Sequence, residues 1–251
     1  MADQNGLFAP DAVARRVHSE AVLLLGGGRA LLMQLAHPAV AAGVMEHSRF
    51  REQRFRRLLR TLRLTLAIVY GTRDQALAAA RQVNAVHRNV VGQGYDATDP
   101  ELLLWVHATL VDTALYMHER FVGEMAPAER EAYYEEMGAL AEALGVPRQA
   151  LPPDVAAFEG YVEGMLARLE VSGAAREIAD ELFRAGFGLQ LAMPLMRRVT
   201  ATLLPRELRR QYGLAPSRFD ESSLRFAAAT SRRLLPYLPR RLRRTPGFLM
   251  P

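Results

Sequence analysis

The chain has 251 residues, 50% hydrophobic and 24% charged, which is the balance of one globular domain and excludes a disordered segment. It has no cysteine, which excludes disulfides, zinc knuckles, iron–sulfur clusters, thiol nucleophiles and thiolate-bound metals; all 32 basic side chains are arginine, so no lysine is available as Schiff base or ligand. Much of the net charge of +5 sits near the end, in Arg232, Arg233, Arg240, Arg241, Arg243 and Arg244; with no nucleic-acid motif beside it, this reads as a solvated basic tail, and no nucleic-acid partner is expected.

Apolar residues recur at three- and four-residue spacing almost throughout, with no sustained alternation, so the fold class is all-α and strands are not expected to matter. A first helix is predicted from Pro10 to Leu25, ended by Gly26-Gly27-Gly28. A second spans Arg29 to His47, where Pro38 removes one backbone hydrogen bond, kinks the helix beside His37 and frees the Gln34 carbonyl. A third covers Phe55 to Val69. A fourth runs from Asp74 to Val91, stopped by Gly92 and Gly94. Asp99-Pro100 opens a fifth, the longest apolar helix, which reaches Val122. Amphipathic helices follow over Ala128–Leu144, Asp154–Leu169, Ala174–Leu204 with a break at Pro194, Arg206–Tyr212 and Glu221–Tyr237. Residues 1–9 are expected as an arm, 10–238 as the single domain, and 239–251 as a loose tail rich in proline and arginine.

No apolar run approaches the ~20 residues that span a bilayer. The first residues lack the charged start and apolar run of a leader, so a cytoplasmic location is the expectation. A peripheral membrane contact stays open, and the oligomeric state is not legible.

Chemistry has few places to reside. There is no Glu-x-x-His pair of the di-iron type, no His-Glu-x-x-His, no Gly-x-Ser-x-Gly and no phosphate loop. The six histidines are His18, His37, His47, His87, His107 and His118. His87 shares a helix face with Ala76, Ala80, Val83 and Val90, a wall of small and branched residues that leaves room for a flat group. The residues alone favour the other reading, a core histidine satisfied by a backbone carbonyl. Arg57 and Thr61 lie four apart on one face, with Arg60 beside them. They could face a pocket or belong to a solvated charge run. His107 and Asp112 interrupt the apolar fifth helix, and a carboxylate there needs a histidine or arginine from an adjacent helix, whether for structure or in support of a cofactor.

Several strings nevertheless resemble one family. Gly27-Gly28-Arg29-Ala30-Leu31-Leu32-Met33-Gln34-Leu35-Ala36-His37-Pro38-Ala39-Val40 followed by His47-Ser48-x-Phe50, the Arg57-x-x-x-Thr61 pair, Tyr70-Gly71, Ala85-Val86-His87-x-x-Val90, Tyr95-x-Ala97-x-Asp99-Pro100-Glu101-Leu102-Leu103-x-Trp105-Val106-His107-Ala108 and Leu208-Arg209-x-x-Tyr212-Gly213-Leu214 are similar to blocks of the family that unites rubber oxygenase (latex-clearing protein) with the MpaB oxygenase. The resemblance covers about Val13 to Pro236. It implies a globin-like helical core around one haem b, with iron held by His87, and oxidative cleavage of double bonds in an apolar, isoprenoid or otherwise unsaturated substrate by O2. It assigns Arg57, Thr61 and Arg60 to the catalytic surroundings and His87, Arg57, His107 and His37 to cofactor binding. The position of Arg60 is a lysine able to reach the iron in rubber oxygenases, and a guanidinium that stays protonated is a poor ligand. A non-catalytic haem- or lipid-binding helical protein is the alternative, and a helical interaction module using the basic tail a third.

Overall fold

The computed structural model describes residues 6–47, 50–184, 192–239 and 243–244, with the side chains of 50–59 outside that description. Among the described residues there are twelve α-helices. They are α1 (Val13–His18), α2 (Gly27–Leu35), α3 (Pro38–His47), α4 (Phe50–Tyr70), α5 (Arg73–His87), α6 (Pro100–Phe121), α7 (Pro127–Ala143), α8 (Val155–Arg168), α9 (Gly173–Phe183), α10 (Ala192–Leu203), α11 (Arg206–Gln211) and α12 (Arg218–Leu234). Short 3-10 turns cover Ala21–Gly26, Arg148–Ala150 and Leu235–Tyr237.

The helix starts follow local chemistry. Asp99 accepts from the Glu101 N–H at 2.8 Å, and Pro100, which has no N–H to lose, takes the first position of α6. Thr72 and Gln75 form a reciprocal capping box at α5, as Ser217 and Asp220 do at α12. Helix α6 is buried over fourteen of its 22 residues, too many for one amphipathic stripe, so it is the central element rather than a surface one. It packs against α2, α7, α8 and α12, and Trp105, Tyr133, Met137 and Leu140 fill the space between with no exposure.

The proline at position 38 does more than kink a helix. It ends α2 at Leu35 and starts α3, with His37 between them. Three carbonyls at the end of α2 find donors. Gln34 O accepts from His37 N at 3.2 Å, Met33 O from Trp105 Nε1 at 3.1 Å, and Leu32 O from Tyr212 Oη at 2.8 Å. The expected free carbonyl of Gln34 is therefore taken up by a tightened turn, because a helix end buried in a core must satisfy its acceptors.

At the other end of α2 lies a buried polar cluster. Arg29, 5% exposed, pairs with Asp112 at 2.6 Å, donates to Thr113 Oγ1 at 2.7 Å and to Leu203 O at 3.1 Å, and its guanidinium stands 4.7 Å from the Tyr116 ring centroid. Asp112 has thus found the arginine its apolar helix demanded. A second arginine, Arg209, donates to Leu204 O at 2.7 Å and to Thr202 O, and reaches Glu221 of α12 at 3.1 Å.

Four expectations are corrected. The glycine run does not terminate a helix: the chain passes from the 3-10 turn at Ala21–Gly26 directly into α2, and Gly28 is needed for approach, since a Cβ there would lie 2.2 Å from Thr200 Oγ1. Helix α5 ends at His87, four residues short of the prediction. The chain then forms a small antiparallel hairpin, β1 (Val91–Gly92) with β2 (Tyr95–Asp96), turning at Gly94 with φ of 80°. The Tyr95 hydroxyl donates to Glu46 at 2.6 Å and ties this hairpin to α3, so the strands do matter locally. Finally, Arg243 is not a solvated tail residue: it grips the buried Glu20 with Nε at 3.0 Å from Oε1, and Glu20 and Arg244 form an isolated β-bridge. Arg240, Arg241 and residues 245–251 lie outside the described residues.

Arg29→Ala leaves a carboxylate without its cation inside the fold and should cost about 3–5 kcal/mol in urea unfolding. The paired change Arg29→Met with Asp112→Leu should restore much of that loss, because no lone charge remains; equal losses in both variants would show that the pair carries little of the stability.

Candidate functional site

The turn at Gly71-Thr72 joins α4 to α5, and the two helices pack against one another as an antiparallel hairpin. Along each of them a residue advances by roughly 1.5 Å, so Arg57 on α4 and His87 on α5 both come about 22 Å from the turn. The backbone of Arg57 is therefore level with the end of α5, and Thr61 lies one helical turn nearer the joint. Arg57's side chain, like the string at Ser48 and Phe50, lies outside the described residues. Arg60 and Thr61 are exposed on α4.

His87 is half-buried at the last position of α5. The small-residue wall behind it is present: Ala76 and Ala80 are buried at 1% and 2% exposure, and Val83 is half-buried. Val90 is beyond the helix, half-buried and facing Gly43 of α3, where a Cβ would lie 3.2 Å from Val90 Cγ1. Val86 and Val91 are 47% and 51% exposed, so large apolar side chains meet solvent on both sides of His87. Nearby, His47 of α3 places Nε2 3.2 Å from Val91 O and stands edge-on to Tyr95.

His37 serves the helix break. Its Nδ1 accepts from the Ala39 N–H at 3.3 Å, a capping contact at the start of α3. A neutral imidazole that accepts at Nδ1 carries its proton on Nε2, so the remaining nitrogen is a donor, suited to an oxygen and not to a metal. Burial lowers its pKa from the ordinary value, opposed in part by Asp99.

His107 behaves differently. It lies within α6 at 4% exposure, and neither ring nitrogen has a hydrogen-bond partner among the described residues. Of the six histidines it is the one left so on both sides: His18 meets Tyr133 Oη at 3.2 Å and His118 meets Gly123 O at 3.2 Å. An imidazole has one donor and one acceptor in its neutral form, and leaving both unmatched in a core costs a few kcal/mol. Such a ring fits a group that the working protein brings to it. Burial also drives its pKa down to about 4, which keeps the ring neutral and its lone pair available at physiological pH.

Among the described residues no three His, Asp or Glu side chains converge as a metal cage. The three histidines lie on separate elements, His87 at the end of α5, His107 inside α6 and His37 at the α2–α3 break. The sequence pointed to these three histidines. It gave no sign that Arg29, the most connected polar side chain, would serve packing, although its partner Asp112 signalled the need for one.

An all-helical domain of this kind is matched, over residues 14–233, by the family model described as "ER-bound oxygenase mpaB/B'/Rubber oxygenase, catalytic domain". The fold and the match together define an oxygenase-type catalytic domain. The chain belongs to the MpaB/rubber oxygenase family. It is similar to the uncharacterized protein Mb2261 of Mycobacterium bovis and the uncharacterized protein Rv2237 of Mycobacterium tuberculosis, each 31% identical over 156 residues, covering 59% of this chain and 61% of the relative. The chain thus aligns with about three-fifths of the length of these curated relatives.

The buried histidines set an acid limit on stability. His107 titrates near 6.5 when unfolded and near 4 when folded, so the unfolded chain takes the proton first. This ring costs the fold nothing in pH-dependent terms above pH 6.5, and its protonation destabilises the fold increasingly as pH falls towards 4, by a total on the order of 3 kcal/mol. His18, also lowered to about 4, acts in the same window. In cofactor-free protein, His107→Leu should flatten this part of the pH–stability curve and leave stability at pH 7.5 equal or higher; an unchanged acid slope would count against a buried neutral ring.

Proposed function

We propose that the protein is a haem b-dependent oxygenase, in which His87 holds the iron and an apolar, isoprenoid or otherwise unsaturated substrate is oxidised by O2. Family membership supplies the oxygenase class. The observation that carries the cofactor reading is the buried imidazole of His107, with both ring nitrogens unmatched among the described residues, in the core helix α6.

When bound, the haem would supply the activation of O2. The protein's own residues supply position and environment. Arg57, level with His87 on the facing helix, is the cation for a propionate or for negative charge developing on oxygen. Thr61, one turn away, would supply a hydroxyl, and Arg60 beside it would add positive charge without serving as a ligand. His37 would donate from Nε2 to a carboxylate, and His107 would give the cofactor a polar contact from the α6 side. Val86 and Val91 make an apolar rim at which an alkene can leave water before reaction.

Purified protein supplied with haem should show an intense Soret absorption in a scan from about 350 to 700 nm, and His87→Ala should remove most of it. His107→Leu should keep the fold and weaken haem retention. A colourless wild-type protein after reconstitution would overturn the reading. Oxygen uptake with unsaturated isoprenoids should accompany haem binding; stable haem with no uptake over a varied panel would leave a binding protein and not an oxygenase.

A further inference from the structure

From the outer face of α12 we infer a docking surface for a bilayer that contains anionic phospholipid. Helix α12 buries Leu224 and Ala228 against α6 and α10, and anchors there through Ser231 Oγ, which donates to Phe121 O at 2.8 Å. Phe219 and Phe226 are seven residues apart, two turns of helix, and lie on the side opposite to those contacts. Each is 75% exposed. Leu234, 54% exposed, and Tyr237, 86% exposed, carry the same apolar line past the end of the helix. A soluble surface seldom gathers four large side chains at this exposure in one row.

Beside the row run Arg218, Arg225 and Arg232, again at seven-residue intervals and all exposed. The acids of the same helix are engaged elsewhere: Glu221 pairs with Arg209, and Asp220 accepts from Ser217 N at 2.9 Å. The outer face therefore presents aromatic and aliphatic side chains with a cationic flank. Aromatic rings that enter the headgroup layer while arginines meet phosphate are the chemistry of an interfacial helix. A second copy of the chain fits less well, because pairing this face with itself sets two arginine rows of like charge together. This surface stands independently of the haem reading, since it neither contains nor contacts the histidines assigned there.

Flotation of the full chain with phosphatidylcholine vesicles, with and without one-quarter phosphatidylglycerol, tests it. The protein should float with the anionic vesicles and remain largely free with the neutral ones. Arg218→Gln/Arg225→Gln/Arg232→Gln should lower partition on the order of a hundredfold. Phe219→Ser/Phe226→Ser should lower it about tenfold or more. Both sets replace exposed side chains, so thermal unfolding by circular dichroism should match the parent and confirm that the variants are folded. No flotation with anionic vesicles, or flotation that both variants leave unchanged, would overturn the proposal. So would a dimer in sedimentation that the phenylalanine variant abolishes, with no vesicle binding, since the face would then join copies of the chain.

Discussion

The fold turns on one buried cation. Arg29 sits where α2, α6 and the end of α10 meet, and a guanidinium there has to be neutralised and hydrogen-bonded at once. Asp112 supplies the charge, Thr113 and the Leu203 carbonyl supply acceptors, and the Tyr116 ring offers its face. These demands come from three stretches far apart in the chain, so they fix how the three helices are set against each other. Lysine could not do the same, having neither the planar fork nor the weak hydration that lets arginine bond several partners in a core. The close approach of Gly28 to Thr200 is part of the same joint, because α10 can supply the Leu203 carbonyl only if its backbone comes near α2.

With that joint set, α6 becomes the wall on which the remaining chemistry is mounted. Trp105 and Asp112 hold it against α2, whereas His107 contributes a polar ring whose nitrogens the described protein does not use. The α4–α5 hairpin adds the other half. Its short turn fixes the level of the His87 backbone relative to that of Arg57, so bringing these two positions level needs no long-range signal. Local helix geometry suffices.

This explains which features were legible beforehand. Pro100 after Asp99 marks the start of α6 because the cap and the proline act within one turn. The all-α class follows from periodicity, and the need of Asp112 for a cation follows from its apolar helix. What the sequence could not show was which arginine would answer, since Arg29 looks like any other arginine near a helix start until α2 is packed. The glycine run misled for a related reason: glycine ends helices through its own backbone freedom, yet Gly28 is required by a threonine 172 positions away. His87 was placed inside a helix because Val90 and Val91 keep the apolar spacing, but the Tyr95 ring and Glu46 reward a hairpin that periodicity alone does not reveal.

The contact between Glu20 and Arg243 bears on what counts as the unit. The family segment ends at residue 233, ten positions before the arginine that neutralises a carboxylate only 5% exposed. A chain cut at the shared boundary would keep every helix of the family and expose an acid in its interior to the full cost of desolvation. The family segment and the set of residues that neutralise this interior are therefore not the same, and the difference includes Arg243, which meets Glu20 just ahead of the 3-10 turn at Ala21–Gly26.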